Sequence, residues 1–139
     1  GNLDAKRDWG HARDYVQAMW LMLQQESAED FVISTGQQYS VREFIELAGK
    51  KLGMELCWKG SGADEVAIDK ITEKTVVKVS KRYYRPTEVE TLLGDSSKAK
   101  EKLGWSAKTS FEELVTEMVD TDLESAKQEE ILNSYQSEK

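Results

Sequence analysis

The sequence of 139 residues has only one cysteine, one histidine and one proline. A single thiol cannot form an internal disulfide, and one cysteine with one histidine cannot give the ligand spacing of a zinc site. We therefore expect neither a disulfide nor a metal site, and we take a reducing compartment, the cytoplasm, as the default location. Cys57 lies between Leu56 and Trp58, and we interpret it as a buried structural thiol.

Long apolar runs and an excess of basic charge are also missing. The longest strongly apolar stretch, 18–23, is far shorter than the roughly 20 residues that cross a membrane. The net charge is -7, and the basic residues are interleaved with acidic ones. Because a phosphate backbone requires a basic footprint, this charge argues against a nucleic-acid binder. We also predict no membrane segment, whereas a local anion site of one or two arginines stays compatible with the composition.

Four segments carry apolar residues at the helical spacings of three and four. The first extends from Ala12 to Leu23. The second begins with a capping box, in which the Ser40 hydroxyl faces a third-turn amide while Glu43 reaches back, and it ends at Gly53 in the left-handed conformation. Two helices are therefore predicted before residue 54.

The second half of the chain predicts two more helices. Asp95 is expected to cap a short helix that Gly104 closes, and the last helix starts at Thr109 or Ser110. Beyond about Ala126 the apolar stripe dissolves into charge, which predicts a solvated helix end and a frayed tail. We accordingly divide the chain into a folded portion, 1–127, and a polar tail, 128–139.

β-branched and apolar residues predict short strands between these helices. Residues 31–34 are expected to form a short buried strand, and 54–58 a second one. Residues 66–71 and 75–79 fit a hairpin across 72–74. The fold class is therefore a small α/β or α+β-like unit, with no room for a full parallel sheet.

Two motifs resemble parts of a dinucleotide enzyme but lack the required context. Gly60-Ser61-Gly62 is the only G-x-G, and the third glycine of the cofactor loop is replaced by Glu65. The chain ends in a Y-x-x-x-K match, Tyr135 to Lys139, within its most polar stretch. We interpret the first as a turn and the second as accidental, so no catalytic and no cofactor-binding residue is assigned.

An arginine stands directly before the first helix. Arg7 could offer a planar fork of donors to a phosphate, beside the amides and the dipole of the helix start. Alternatively, an arginine–aspartate pair in 7–14 could merely fix the entry of the chain into the helix. The residue pattern leaves both interpretations open.

A second arginine lies in a stiff loop beside the only proline. Glu88 follows Arg85 by three residues, and a carboxylate can accept two hydrogen bonds from the adjacent N–H groups of a guanine edge. Arg85 could bind phosphate or stack on a base. The alternative is a surface ion pair on a loop, and the spacing alone does not decide between them.

Five segments together are similar to one family, the GDP-mannose 4,6-dehydratases of the extended short-chain dehydrogenase/reductase superfamily. The similarity runs in order from Gly1 to about Lys127. The segments are GNLDAKRDWGHA at 1–12, DFVISTG at 30–36, RPTEVE at 85–90, LGD at 93–95 and KLGW at 102–105.

The resemblance implies a function for the complete enzyme. Such an enzyme uses NADP, held by an N-terminal Rossmann half, to convert GDP-mannose into GDP-4-keto-6-deoxymannose, a precursor of GDP-fucose. The smaller C-terminal half binds GDP. Carried over by position, Arg7 would meet the diphosphate, Arg85 the phosphate and ribose, and Glu88 the guanine edge, while Trp9 and His11 would shape the helix entry.

The internal-looking start at Gly1 suggests a C-terminal portion separated from that Rossmann half. The resemblance then implies a chain that binds GDP or GDP-mannose but does not catalyse alone. It also implies exposed apolar surface, to be covered by the Rossmann half or by a second copy in a homo-oligomer. The alternative is a stand-alone, non-catalytic nucleotide-sugar binding or protein-interaction module.

Overall fold

A computed structural model describes residues 1–84 and 89–137, the last three by their backbone alone. Helices and two small antiparallel sheets alternate along the chain. The elements are β1 (Lys6–Arg7), α1 (Ala12–Leu23), β2 (Tyr39–Ser40), α2 (Val41–Lys51), β3 (Leu56–Lys59), β4 (Val66–Asp69), β5 (Thr75–Lys78), α3 (Ser97–Leu103) and α4 (Phe111–Ser137).

The helices predicted before residue 54 are confirmed. The helix α1 has the predicted bounds. At the start of α2, the Ser40 hydroxyl accepts from the Glu43 amide at 3.1 Å, and the Glu43 carboxylate accepts from the Ser40 amide at 2.6 Å. Gly53 follows the end of α2 at φ 75°. This conformation costs a residue without a Cβ little, and it stops the helix.

The two later helices are confirmed at their starts, and so is the solvated helix end predicted beyond about Ala126. Asp95 accepts from the Ser97 amide at 2.9 Å before α3, and Ser110 and Glu113 form a reciprocal cap before α4. The helix α4 then continues to Ser137, although its side chains from Ala126 to Ser134 are exposed. Glutamate, glutamine, lysine and alanine dominate this stretch, and their helix propensity sustains the backbone without an apolar stripe.

The two sheets differ in size and position. The strands β3, β4 and β5 form an antiparallel sheet in which Cys57 pairs with Ile68 and Val66 pairs with Lys78, so the predicted hairpin is confirmed. The strands β1 and β2 pair over two residues, and Lys6 also forms a parallel bridge with Thr91. This small sheet joins the first residues of the chain to segments 34 and 85 residues further on.

Residues 31–34 do not form the predicted buried strand. They form no regular secondary structure and pair with no strand among the described residues, and Val32 is 53% exposed. A strand exists only with a hydrogen-bonded neighbour, and the apolar pattern of 31–34 does not reveal whether that neighbour is present. Ser34, the last residue of the segment, is buried nonetheless.

A small core joins α1 to α3 and to the segment that follows α3. Ala18 of α1 packs against Ala99 and Leu103 of α3 and against Trp105. The Trp105 indole donates to the Asp14 carbonyl at 2.9 Å. Because Ala18 has almost no side chain, α1 and α3 approach closely, and the indole fills the space beside them.

Asp14 is a buried charge that connects the start of α1 to the segment before α4. Its carboxylate accepts from the amides of Lys108 and Thr109 at 3.0 and 2.9 Å. Burial raises the pKa of Asp14, but the hydrogen bonds from Thr109 and Lys108 together with the nearby His11 outweigh it, so the pKa lies below its ordinary value. The ionised form is therefore the one that stabilises the fold.

Replacing Asp14 with alanine should lower the free energy of unfolding by about 1.5–3 kcal/mol at pH 7, because two buried amides lose a charged acceptor. Since the folded pKa is lowered, this stabilisation is present above about pH 4 and is lost as the pH falls through the folded pKa. Urea unfolding at pH 7, 4 and 3 measures both effects. Equal acid sensitivity in Asp14→Ala and the unchanged chain would contradict this role.

Candidate functional site

Arg7 lies where three segments of the chain meet. The Lys6 amide donates to the Glu90 carbonyl at 2.8 Å, and Lys6 and Arg7 pair with β2 on their other side. The Arg7 guanidinium donates from Nη1 to the carbonyls of Lys6 and Val89, both at 2.8 Å. The strand β1 thus positions Arg7 against the residue that directly follows Glu88.

An open cavity of about 460 Å³ lies beside Arg7. It is lined by Arg7, Asp8, Trp9 and Tyr15 together with residues 32–34 and 92–94. The cavity therefore combines a guanidinium, aromatic rings and apolar side chains, a composition typical of small-molecule sites.

Arg85 and Glu88, the other two predicted site residues, lie outside the described residues. The segments that flank them are described. The Val79 amide donates to the Glu65 carbonyl at 3.2 Å, and the Tyr83 amide donates to the Ser80 carbonyl at 3.0 Å. The preceding flank is therefore attached to the rest of the fold through Val79, and the following flank is attached through the Val89 and Glu90 carbonyls.

Asp8 is a residue of this region that sequence reasoning did not single out. Its Oδ1 accepts from the amide and the hydroxyl of Thr35 at 2.9 and 2.6 Å, and its Oδ2 accepts from the Gly36 amide at 2.9 Å. Both carboxylate oxygens thus hold the turn after residues 31–34. The sequence signal was an aspartate beside Arg7, but its partner lies 27 residues away and cannot be read from spacing.

Trp9 and His11 lie at the entry of α1, as their predicted role required. His11 is the N-cap residue, with Nδ1 accepting from the Arg13 amide at 3.0 Å and Nε2 lying 3.2 Å from Glu117 Oε1. The Trp9 ring stacks on Phe111, with centroids 5.8 Å apart. The capping histidine and the stacked tryptophan fix the helix start through α4.

Two glycines allow close approaches around the cavity. A Cβ on Gly10 would lie 2.4 Å from Tyr15 Oη, and a Cβ on Gly94 would lie 2.4 Å from the Ser34 Cβ. The Ser34 hydroxyl is buried and has no hydrogen-bond partner among the described residues. A larger side chain at position 94 would therefore push apart the two segments that line the cavity.

Cofactor and metal motifs gain no support from the geometry. Gly60 and Gly62 lie at φ 81° and 59° in a turn between the antiparallel strands β3 and β4, so they do not form the strand–turn–helix loop that cradles a dinucleotide. The Gly60–Gly62 turn therefore does not fit the diphosphate of NADP. The side chain of Tyr135, and Lys139 entirely, lie outside the described residues.

Neither a metal cluster nor a membrane-spanning helix occurs in the part of the chain that the structure describes. No three histidine, cysteine, aspartate or glutamate residues there are placed to hold an ion. No helix there is both long and apolar enough to cross a membrane. Cys57 is free and partly exposed on β3, so the prediction of a buried thiol is corrected.

The arrangement is shared with solved nucleotide-sugar enzymes. A UDP-glucose 4-epimerase from Thermotoga maritima, solved with UDP-glucose, matches with a TM-score of 0.67 and 27% sequence identity. The match covers 91% of this chain and 34% of the epimerase. The fold is thus that of one portion of a short-chain dehydrogenase/reductase.

Sequence comparison narrows this class to one family. The family model for GDP-mannose 4,6 dehydratase matches residues 1–118. The GDP-mannose 4,6 dehydratases of Dictyostelium discoideum and Drosophila melanogaster are 57% and 54% identical over 124 residues. The alignments cover 89% of this chain but only 35% and 31% of those relatives. The chain belongs to the GDP-mannose 4,6-dehydratase family and spans about a third of the length of these curated relatives.

Asp8→Ala and Ser34→Ala should have opposite consequences, although both remove oxygen atoms from the turn region. Losing Asp8 leaves two amides and a hydroxyl without their acceptor, and should cost about 1.5–3 kcal/mol of unfolding free energy. Losing the unpaired Ser34 hydroxyl should change stability by less than about 0.5 kcal/mol or raise it. Urea unfolding of both variants measures the difference. An equal loss in both would contradict the assigned hydrogen bonding.

Proposed function

We propose that this chain is the substrate-binding C-terminal portion of a GDP-mannose 4,6-dehydratase and contributes its GDP-binding residues. The complete enzyme converts GDP-mannose to GDP-4-keto-6-deoxymannose and uses NADP. The cofactor site lies outside these 139 residues, because the only G-x-G here forms a turn between antiparallel strands. The proposed location is the cytoplasm, in keeping with a single free cysteine.

One contact supports the nucleotide-binding role most directly. Arg7 and Val89 are 82 residues apart, yet Nη1 of Arg7 donates to the Val89 carbonyl. This contact brings Arg7 to the end of the segment that carries Arg85 and Glu88. Two arginines would then neutralise the diphosphate, and the glutamate would accept from guanine. The chain has no acid–base pair assigned to the sugar, so we propose no turnover by the chain alone.

A second feature supports the proposed partner, the Rossmann half of a complete family member. Four large apolar side chains on α1 are between 59% and 81% exposed, and they recur at helical spacing along one face. We name them the α1 stripe. Its members are Val16, Met19, Trp20 and Leu23.

The α1 stripe and the unpaired segment 31–34 call for two different kinds of contact from a partner. The stripe needs apolar contacts, because a soluble monomer rarely leaves such a face open. Segment 31–34 needs a neighbouring strand to pair its backbone in the predicted way. This chain leaves about two thirds of the length of its relatives unmatched. We propose that this unmatched part supplies both the apolar contacts and the pairing strand.

A GDP titration of the folded chain tests the nucleotide-binding role. Arg7→Ala and Arg85→Ala should each weaken binding at least tenfold, because a charge-assisted hydrogen bond contributes about 1.5–3 kcal/mol. The matched control is Arg13→Ala, since Arg13 is an exposed arginine that pairs with Glu117 instead. Calorimetry gives the affinities, and circular dichroism verifies folding.

The outcomes of this titration separate the alternatives. A folded chain that gives no binding heat with GDP does not act as a nucleotide-binding module by itself. An equal loss in Arg13→Ala would show a general charge effect rather than a site. Turnover is assayed with GDP-mannose and NADP. Dehydratase activity of the chain alone would contradict the proposal that this chain binds GDP while the rest of the enzyme carries out the reaction.

A charge placed on the α1 stripe tests the proposed partner. The chain should form a one-to-one complex with the N-terminal two thirds of the Dictyostelium relative, measured by light scattering after co-expression. Trp20→Asp should abolish it, because a carboxylate would enter an apolar interface. The control is Leu132→Asp on α4, since Leu132 and Trp20 are similarly exposed, at 61% and 60%.

The same measurement distinguishes a homo-oligomer. If the chain alone forms a dimer that Trp20→Asp dissociates, the α1 stripe binds a second copy instead. If the chain remains monomeric and unbound in the presence of the N-terminal portion, the proposed partner is wrong.

A further inference from the structure

Arg42, in the first turn of α2, bridges two carboxylates from distant segments. Its Nη1 and Nη2 donate to the two oxygens of Glu65 at 2.7 and 3.1 Å. Its Nε and Nη2 donate to Oδ1 of Asp4 at 3.1 and 3.0 Å. The guanidinium therefore contacts both oxygens of Glu65, the bidentate geometry in which arginine is most specific, and it contacts a single oxygen of Asp4 through two donors.

The environment of Arg42 strengthens this bridge. The side chains of Arg42 and Glu65 are only 23% and 12% exposed, so solvent screens their attraction less than at an open surface. The guanidinium also lies over the Trp58 ring, 4.6 Å from its centroid. The Glu65 carboxylate raises the pKa of Arg42 despite partial burial, so the guanidinium keeps its charge.

One arm of the bridge leads to Arg7. Asp4 precedes Arg7 by three residues, and the start of α2 holds the same stretch through the backbone. The Arg42 amide donates to the Leu3 carbonyl at 2.9 Å, and the Val41 amide donates to the Ala5 carbonyl at 3.3 Å. The residues directly before β1 are therefore held against the start of α2.

The other arm leads to the segment that carries the second half of the proposed site. The Glu65 carbonyl accepts from the Val79 amide at 3.2 Å, just after β5. From there the chain continues through 80–84, and it returns where Val89 and Glu90 accept from Arg7 and Lys6. Arg42 is thus bonded to Glu65, which holds Val79, and to Asp4, which lies two residues before Lys6 and its contact with Glu90.

We propose that Arg42 is a positioning residue of the nucleotide site. It acts through Asp4 and Glu65 to hold β1, and with it Arg7, in register with residues 79 and 89–90. Arg42 does not line the cavity beside Arg7, so its effect reaches the ligand through Arg7. This inference rests on the proposed GDP-binding function.

A bridge that served only overall stability would behave differently. Removing it would loosen the whole fold and lower the melting temperature, while the folded fraction would bind GDP with unchanged affinity. A positioning role instead predicts local loosening at β1 and a weaker site in molecules that remain folded. The Lys6 amide reports on this directly, because its hydrogen bond to Glu90 joins β1 to the returning segment.

The test combines amide hydrogen exchange with GDP titration of the 139-residue chain. In Arg42→Ala, exchange of the Lys6 amide should accelerate at least tenfold relative to amides of α1 and α4, and GDP affinity should fall about tenfold. In an Arg7→Ala background the same change should alter GDP affinity less than twofold, because the positioned group is gone. Arg13→Ala is the matched control and should alter neither readout.

Arg42→Lys keeps the inference testable if the alanine variant does not fold. Lysine retains the charge but cannot contact both carboxylates with a planar fork, so both readouts should change in the same direction, by a smaller factor. Unchanged Lys6 exchange in these variants overturns the proposal, as does a uniform acceleration at all amides. If the unchanged chain does not bind GDP, the proposed function fails for the chain alone, whereas Lys6 exchange still decides whether Arg42 positions β1.

Discussion

The crossing of chain segments at Lys6 and Arg7 is the constraint on which the rest of this structure depends. Both residues pair with β2. Lys6 also forms a parallel bridge with Thr91 and donates to the Glu90 carbonyl, and Arg7 donates to the Val89 carbonyl. A two-residue strand contributes little stability by itself. Its position is therefore set by what surrounds it, namely α2 on one side and the turn held by Asp8 on the other.

Charged side chains, more than the apolar core, connect the separate units of this fold. Asp14 joins α1 to the segment before α4, Asp8 joins β1 to the turn at Gly36, and Arg42 joins the start of the chain to the β3–β5 sheet. The fully buried part of the core between α1 and α3 is small and consists of two alanines, Leu103 and Trp105. Several large apolar side chains of α1 lie at the surface instead. Such a distribution is typical of a part that completes its core against a partner.

Local sequence features predicted the elements whose determinants are local. The capping box of Ser40 and Glu43, the left-handed Gly53 and the turn between β4 and β5 depend on neighbours within a few residues. The prediction for 31–34 was wrong because a strand needs a partner that the segment does not encode. Arg7 was recognised from its place before α1, whereas Asp8 and Arg42 were not, since their partners are distant in the chain.

The sequence by itself determined the starts of the helices, the hairpin and membership of the GDP-mannose 4,6-dehydratase family, because capping, periodicity and the five motif segments are encoded residue by residue. Only the tertiary structure decided that Arg7 contacts Val89 and that a single guanidinium joins Asp4 to Glu65. The physical reason is that hydrogen bonds between charged groups depend on distances of about 3 Å. Such distances between residues tens of positions apart are set by packing and cannot be read from spacing.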